Sequence, residues 1–237
     1  MSGDPPVIEF RNVSVPAQSE ELGGIADVSL AIRKHGIALI LLEEGREQTP
    51  FAAVAEGLIG ADSGRVLFEG ACWEDLGACE QSERRGRIRR VFEHFGWISN
   101  LDVAENVCLA ECHHTGRTLD EVLAEAGTWA ARFGLERIPE GRPARVHPLT
   151  LRKLEWVRAF LGKPSLIILE RPLARAPKAD GPLLVQAVCE AAQKGVAVMW
   201  LTDEPLAWNC ESVGAGGRYR MKGERLLAVE TEGNKAS

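Results

Sequence analysis

Apolar and polar positions along the chain fall into two rhythms. Residues 7–15 (VIEFRNVSV) and 25–32 (IADVSLAI) alternate, which predicts two half-buried strands, and Gly23-Gly24 reads as the hairpin turn between them. Residues 36–42 and 166–169 are continuously apolar, and 36–42 and 165–169 read as buried strands; 64–69, 88–92 and 196–201 read as further strands. Residues 217–221 and 225–230 read as a hairpin around Lys222-Gly223. The second rhythm is helical. Leu119, Val122, Leu123, Ala126, Ala130 and Phe133 share one face of a helix over 118–134, opened by the capping box Thr118-x-x-Glu121 and stopped by Gly134. Residues 150–161 form another helix, ending at Gly162-Lys163-Pro164. Asp180 and Pro182 open a last one carrying Leu184, Ala187, Val188 and Ala191, closed by Gly195. Phe51, Val54, Ala55 and Leu58 also fall at helical spacing, with Thr49 as the expected N-cap and Pro50 in the first helical position.

Composition narrows the class. A chain of 237 residues is long enough for one domain, or a core with a subdomain, and 45% apolar with 26% charged residues is ordinary for a globular protein. A net charge of −6 argues against a broad nucleic-acid face, so no nucleic-acid partner is expected. Met1-Ser2-Gly3-Asp4-Pro5-Pro6 shows no apolar h-region, and the apolar runs are too short to span a bilayer. The six cysteines form no C-x-x-C pair, so free thiols in a reducing cytosol are expected. Cys108-x-x-x-Cys112-His113-His114 invites a metal reading, but a second ligand cluster is missing; a helix end with core cysteines is expected and no metal. Arg84, Arg85, Arg87, Arg89 and Arg90 crowd the polar stretch 72–90 and read as a solvated helix and loop, the alternative being a phosphate or lipid-headgroup patch.

The chemistry is written around Leu42-Glu43-Glu44-Gly45-Arg46-Glu47-Gln48-Thr49-Pro50, where an apolar strand runs through a polar turn into a helix. Strand, turn and helix in that order are where a P-loop sits. Downstream come Gly57-Leu58 and Ser63-Gly64-Arg65-Val66, then Val91-Phe92-Glu93 and Asn100-Leu101-Asp102-Val103-Ala104-Glu105-Asn106-Val107, then Arg158-Ala159-Phe160 with Pro164-Ser165-Leu166-Ile167-Ile168-Leu169. In order and spacing these resemble the framework of the ATPase subunit of ABC transporters, over roughly residues 7–230. The resemblance implies an α/β fold of the P-loop NTPase type: a mixed-sheet core with an antiparallel β subdomain (7–95 and 163–230), a helical subdomain (96–162), and a disordered tail (231–237). It implies ATP and Mg²⁺ as the family's ligands and a membrane permease as partner.

The motifs that handle nucleotide depart from the family's pattern. Aligned on Gly57-Leu58, Gln48 stands at the P-loop lysine, Glu47 at its last glycine, Gly45 at its middle glycine and Leu42 at its first; Thr49 matches the Mg²⁺-binding hydroxyl. Such loops work because glycine N–H groups and the lysine meet phosphate; Glu43, Glu44 and Glu47 would instead repel it, by about 4 kcal/mol for unit charges 4 Å apart at an effective dielectric of 20. Pro16-Ala17 replaces the adenine-stacking aromatic, Glu93 the Q-loop glutamine, Val146-His147-Pro148-Leu149-Thr150 the signature, and Arg175-Ala176-Pro177 the D-loop. Pro148 has no N–H to offer a phosphate. Glu170 stands at the Mg²⁺-orienting aspartate, Arg171 at the catalytic glutamate and Asp203 at the switch histidine.

The expectation is therefore a subunit with no catalytic residues and no bound cofactor, at the inner face of the membrane, paired as a homodimer or with another ATPase subunit. The docking groove is expected at Phe95, Trp97, Ile98 and Leu101, the alternative being that these are subdomain core. The entry "NLDVAENV" and the charged stretch 115–120 look most like MCE-type (Mla-like) lipid transporters. An active ATPase with unusual chemistry, and a scaffold or regulatory protein outside any transporter, remain the other readings. Arg171 is expected to pair with a loop carboxylate, Glu47 above all, because strands ending at Leu42 and Leu169 are expected to be neighbours.

Overall fold

A computed structural model describes residues 4–17, 23–43, 49–94, 96–174, 176–208 and 217–229, with the backbone alone at 205 and 206. Gly45, Glu47 and Gln48 of the loop, Phe95, Arg175 and the tail lie outside the described residues.

Two sheets carry the fold. In the smaller, β2 (Ile25–Ile32), β1 (Ile8–Val15), β4 (Ser63–Phe68) and β5 (Ala71–Cys72) lie antiparallel in that order. The larger sheet runs β10 (Arg225–Val229), β9 (Arg218–Lys222), β3 (Ile37–Leu41), β8 (Ala197–Thr202), β7 (Leu166–Glu170), β6 (Ile88–Val91). Its pairings are parallel except β9 with β10. One expectation fails here: β8 lies between β3 and β7, so the strands ending near Leu42 and Leu169 are not neighbours. Each pairs instead with β8.

The central strands are apolar without alternation because both faces are covered. Leu39, Leu169 and Trp200 face the helices α3 (Val103–Thr115), α4 (Leu119–Arg132), α5 (Pro148–Phe160) and α6 (Gly181–Gln193). Ile40, Ile168 and Met199 face the smaller sheet and the short helix α1 (Phe51–Ala55). Period-two side-chain alternation along each strand divides the core into these two clusters.

Helix α1 differs from its expected form. Pro50 takes the N-cap position, no side chain caps the helix, and it ends after five residues. Leu58 is 60% exposed and does not join Phe51, Val54 and Ala55 in the core. The reason is Gly57, at φ 64°, where a Cβ would lie 2.5 Å from the Trp73 ring. That conformation stops the helix and turns Leu58 outward. The orphan carbonyls are met from α2 (Ala78–Arg85): Arg85 donates to the carbonyl oxygens of Glu56 and Gly57, both at 2.8 Å.

The arginine run is likewise not a solvated face. Arg84 donates to the Phe68 carbonyl, Arg87 pairs with Glu69 at 2.6 Å, and Arg89 is buried against Glu111 at 2.5 Å. Buried guanidinium groups need partners, and these have them. The helix expected over 118–134 forms, with Thr118 and Glu121 making the capping box and Gly134 following at φ 73°, but Leu119 in its first turn is 42% exposed and does not join the buried face. Cys108 is buried in the core, and burial pushes its thiol up to about 12. Among the described residues no helix is long and apolar enough to cross a membrane.

Candidate functional site at the carboxyl edge of the central sheet

In open α/β sheets, ligands bind beyond the carboxyl ends of the strands. Among the described residues, three loops meet there, following β6, β7 and β8. The loop after β7 opens with Arg171 at φ 39°, a left-handed conformation uncommon outside glycine. Its N–H donates to the Leu201 carbonyl at 2.9 Å, and its own carbonyl accepts from Ala174 at 2.9 Å. Its buried guanidinium pairs with Glu93, from the loop after β6, through a short Nη1–Oε1 hydrogen bond. It also pairs with Asp203, after β8, with Nε 3.0 Å from Oδ2. Three of the positions singled out in the sequence are thus brought together, with one cation between two carboxylates. Glu43, the described carboxylate of the β3 loop, lies elsewhere: it accepts from the Gly223 N–H at 3.2 Å. The expected Arg171–Glu47 pair falls outside the described residues.

A second arginine sits beneath the first. Arg90 Nε lies 2.7 Å from Glu170 and Nη1 2.8 Å from Glu56, with the Phe92 ring 4.5 Å from the guanidinium carbon. Burial pushes the Glu170 and Glu56 carboxyls up, against the pull of Arg90. Burial works to lower Arg90, but Glu170 and Glu56 outweigh it and its pKa is raised. Thr49 is buried, and with Pro50, Arg90, Phe92, Glu93 and Glu170 it lines a cavity of about 240 Å³.

The segment after β6 is fixed from behind by α5. Arg152, 1% exposed, donates to the carbonyl oxygens of Phe92 at 2.7 Å and Glu93 at 2.8 Å, and to Glu155 at 2.7 Å. Glu155 accepts from the Gly96 N–H at 3.2 Å. Arg158 donates to the Gly96 carbonyl at 2.8 Å and lies 5.4 Å from the Trp97 ring centre. Asn106 on α3 then accepts from Ile98 N–H at 2.8 Å and donates to the carbonyls of Ile98 and Leu101. Of the expected docking residues, Trp97 is half-buried and packs against the helical core, Leu101 is half-buried, and Ile98 is 43% exposed. The segment 146–150 places Pro148 first in α5, with His147 Nδ1 accepting from the Leu149 N–H at 3.3 Å.

Arg152 and Glu155 were not singled out by sequence reasoning, Arg90 was read only as part of a solvated arginine run or a phosphate patch, and Asn106 only as part of the framework. One trace existed: Ile88-Arg89-Arg90-Val91 sets two arginines inside a strand bounded by core residues, where a charge must find a partner.

No family model matches the chain. In structure it is similar to "Dimeric Structure of MJ0796, a Bacterial ABC Transporter Cassette", with a TM-score of 0.79, 20% identity, and coverage of 92% of this chain and 96% of that one. A post-hydrolysis dimer of the same cassette, bound to ADP and Pi, gives a TM-score of 0.76 at 18% identity, covering 94% and 99%. The architecture is that of an ABC ATPase cassette.

In sequence it is 28% identical over 181 residues to the methionine import ATP-binding protein MetN of Mesorhizobium japonicum, covering 76% of this chain and 49% of that protein. It is 25% identical over 191 residues to the arginine/ornithine transport ATP-binding protein AotP of Pseudomonas aeruginosa, covering 75% and 74%. In sequence and in fold the chain is thus similar to the ABC transporter ATP-binding proteins. It spans about a third to a half of the length of several of those relatives. Their names concern import of sugars, methionine and amino acids; the expected lipid branch finds no support among them.

Proposed function

We propose that this chain is a non-catalytic ABC cassette subunit, which supports a membrane permease from its inner face without hydrolysing ATP. The observation that carries the reading is Arg171. At the position the resemblance assigns to the catalytic carboxylate stands a buried cation, already paired with Glu93 and Asp203. No carboxylate remains at that position to polarise a water. The residues present do not fit MgATP. Glu170, at the metal-orienting position, is engaged by Arg90, and Glu93 by Arg171, so a Mg²⁺ ion would have to displace arginines. The cavity beside Thr49, about 240 Å³, is smaller than the roughly 300–1,000 Å³ usual for small-molecule sites. In sequence, Glu44 and Glu47 add negative charge where phosphates would lie.

On this reading residues 7–95 and 163–230 are the core and 96–162 the permease-facing helical subdomain. Ile98, with Trp97 and Leu101 beside it, is the docking patch. ABC sites are composite, so a subunit altered in both P-loop and signature disables both sites of a dimer, even beside an intact partner.

Isothermal titration of the purified chain with MgATP to millimolar concentration is the direct test. No heat of binding is expected; a micromolar Kd would refute the reading.

A further inference from the structure

Resting on that reading, we infer that Arg171 is a positioning residue that takes over the organising role of a bound ligand. It ties the loops after β6 and β8 to the loop after β7, and so holds residues 92–94 and 96–101, with the exposed surface at Ile98, in one conformation without nucleotide. The geometry is that of a clamp. One buried guanidinium bridges carboxylates from two strands on one side of it in the sheet order and on the other: Glu93 follows β6, Asp203 follows β8, and Arg171 follows β7 between them. The Glu93 contact is a charge-assisted hydrogen bond, directional as well as strong, and the Asp203 contact adds an ion pair. The backbone at Arg171 is in a left-handed conformation that arginine does not favour, and it persists because the side chain and the Leu201 carbonyl both hold it.

What is fixed at Glu93 is passed on. Arg152 grips the Phe92 and Glu93 carbonyls, Glu155 and Arg158 grip Gly96, and Asn106 grips Ile98 and Leu101. Hydrogen bonds as far as Gly96, the backbone of 96–98 and the Asn106 contacts therefore connect Arg171 to the Ile98 surface. The class of partner it serves is a permease loop that needs a preformed apolar patch.

Hydrogen exchange read by mass spectrometry on the full chain tests this. Arg171→Asn removes the guanidinium and keeps a residue that accepts left-handed backbone. Exchange should quicken by about tenfold in peptides over 92–98 and 203–208, with α4 unchanged. If Arg171→Asn loosens the whole molecule, Glu93→Gln and Asp203→Asn decide: the first should quicken 92–98 alone, the second 203–208 alone. Exchange within about twofold of wild type at 92–98 in Glu93→Gln would overturn the clamp. Millimolar MgATP should leave wild-type exchange unchanged. Protection by MgATP would instead overturn the non-catalytic reading, and the Arg171 comparison would still stand or fall by itself.

Discussion

Replacing Arg152 by alanine should be among the most damaging single changes in the chain. Its side chain is 2% exposed and its partner Glu155 wholly buried, 2.7 Å away. Truncation strands a carboxylate left with the field of Arg158, the Gly96 N–H at 3.2 Å and the Trp97 indole for compensation. It also removes the donors to two backbone carbonyls, Phe92 and Glu93. Breaking one partner of a buried pair costs about 3–5 kcal/mol, and each abandoned buried acceptor about 1–3 kcal/mol. Gly96, Arg158 and a shift of Glu155 towards its protonated form recover part of this, which leaves about 4 kcal/mol. At roughly 2–4 °C per kcal/mol for a chain of this size, the thermal midpoint should fall by about 8–16 °C.

Urea unfolding followed by tryptophan fluorescence gives the free energy, and the double variant Arg152→Met/Glu155→Leu gives the control. Apolar replacement of both members removes the stranded charge, so the double variant should be more stable than Arg152→Ala. A loss below about 1.5 kcal/mol in Arg152→Ala, or a double variant worse than the single, would refute the account of Arg152 as the buried anchor of the Phe92–Gly96 segment.

Two further outcomes follow from the same geometry. Ile98→Asp should leave the thermal midpoint nearly unchanged, because the side chain is 43% exposed, while weakening co-purification with a permease; Trp97→Ala, half-buried against the core, should cost stability as well. Unchanged permease capture in Ile98→Asp would remove the docking patch. Stability should also respond to pH through Glu56 and Glu170. Both carboxyls are raised chiefly by burial, so the folded state holds their protons to higher pH than the unfolded chain. Their contribution is complete below the ordinary carboxyl range, about 4.3, and is lost as pH rises through the raised values. Glu56→Gln should flatten that decline in urea titrations between acid and neutral pH, and a slope equal to wild type would contradict it.

Much of this was legible in the sequence wherever local pattern and final environment agree. The alternating strands, the buried runs, the capping box at Thr118 and the hairpin around Lys222-Gly223 all stand where periodicity and turn chemistry put them. What was not legible depends on contacts distant in sequence. Thr49-Pro50 looks like a cap and first turn, but Trp73, brought against Gly57 through the smaller sheet, decides where that helix stops. The strand order cannot be read from strand sequences, since β3 and β7 are equally apolar, and the intervening β8 lies later in the chain than both. Arg89 and Arg90 carry no label separating a solvated from a buried arginine; Glu111, Glu56 and Glu170 supply it from other elements.

The charges at the carboxyl edge make the strongest connection between sequence and site. Taken singly, Glu93, Arg171 and Asp203 are three departures from a family pattern, each open to the bland reading of drift. Taken in space, they are one cation placed between two anions, each ion pair closed across a different loop. A buried arginine at the end of β7 with no carboxylate nearby would be severely destabilising, and so would Glu93 beside Glu170 with neither Arg171 nor Arg90 present. The substitutions are tolerable together and costly apart. On the non-catalytic reading proposed above, the three positions therefore stand or fall as a unit.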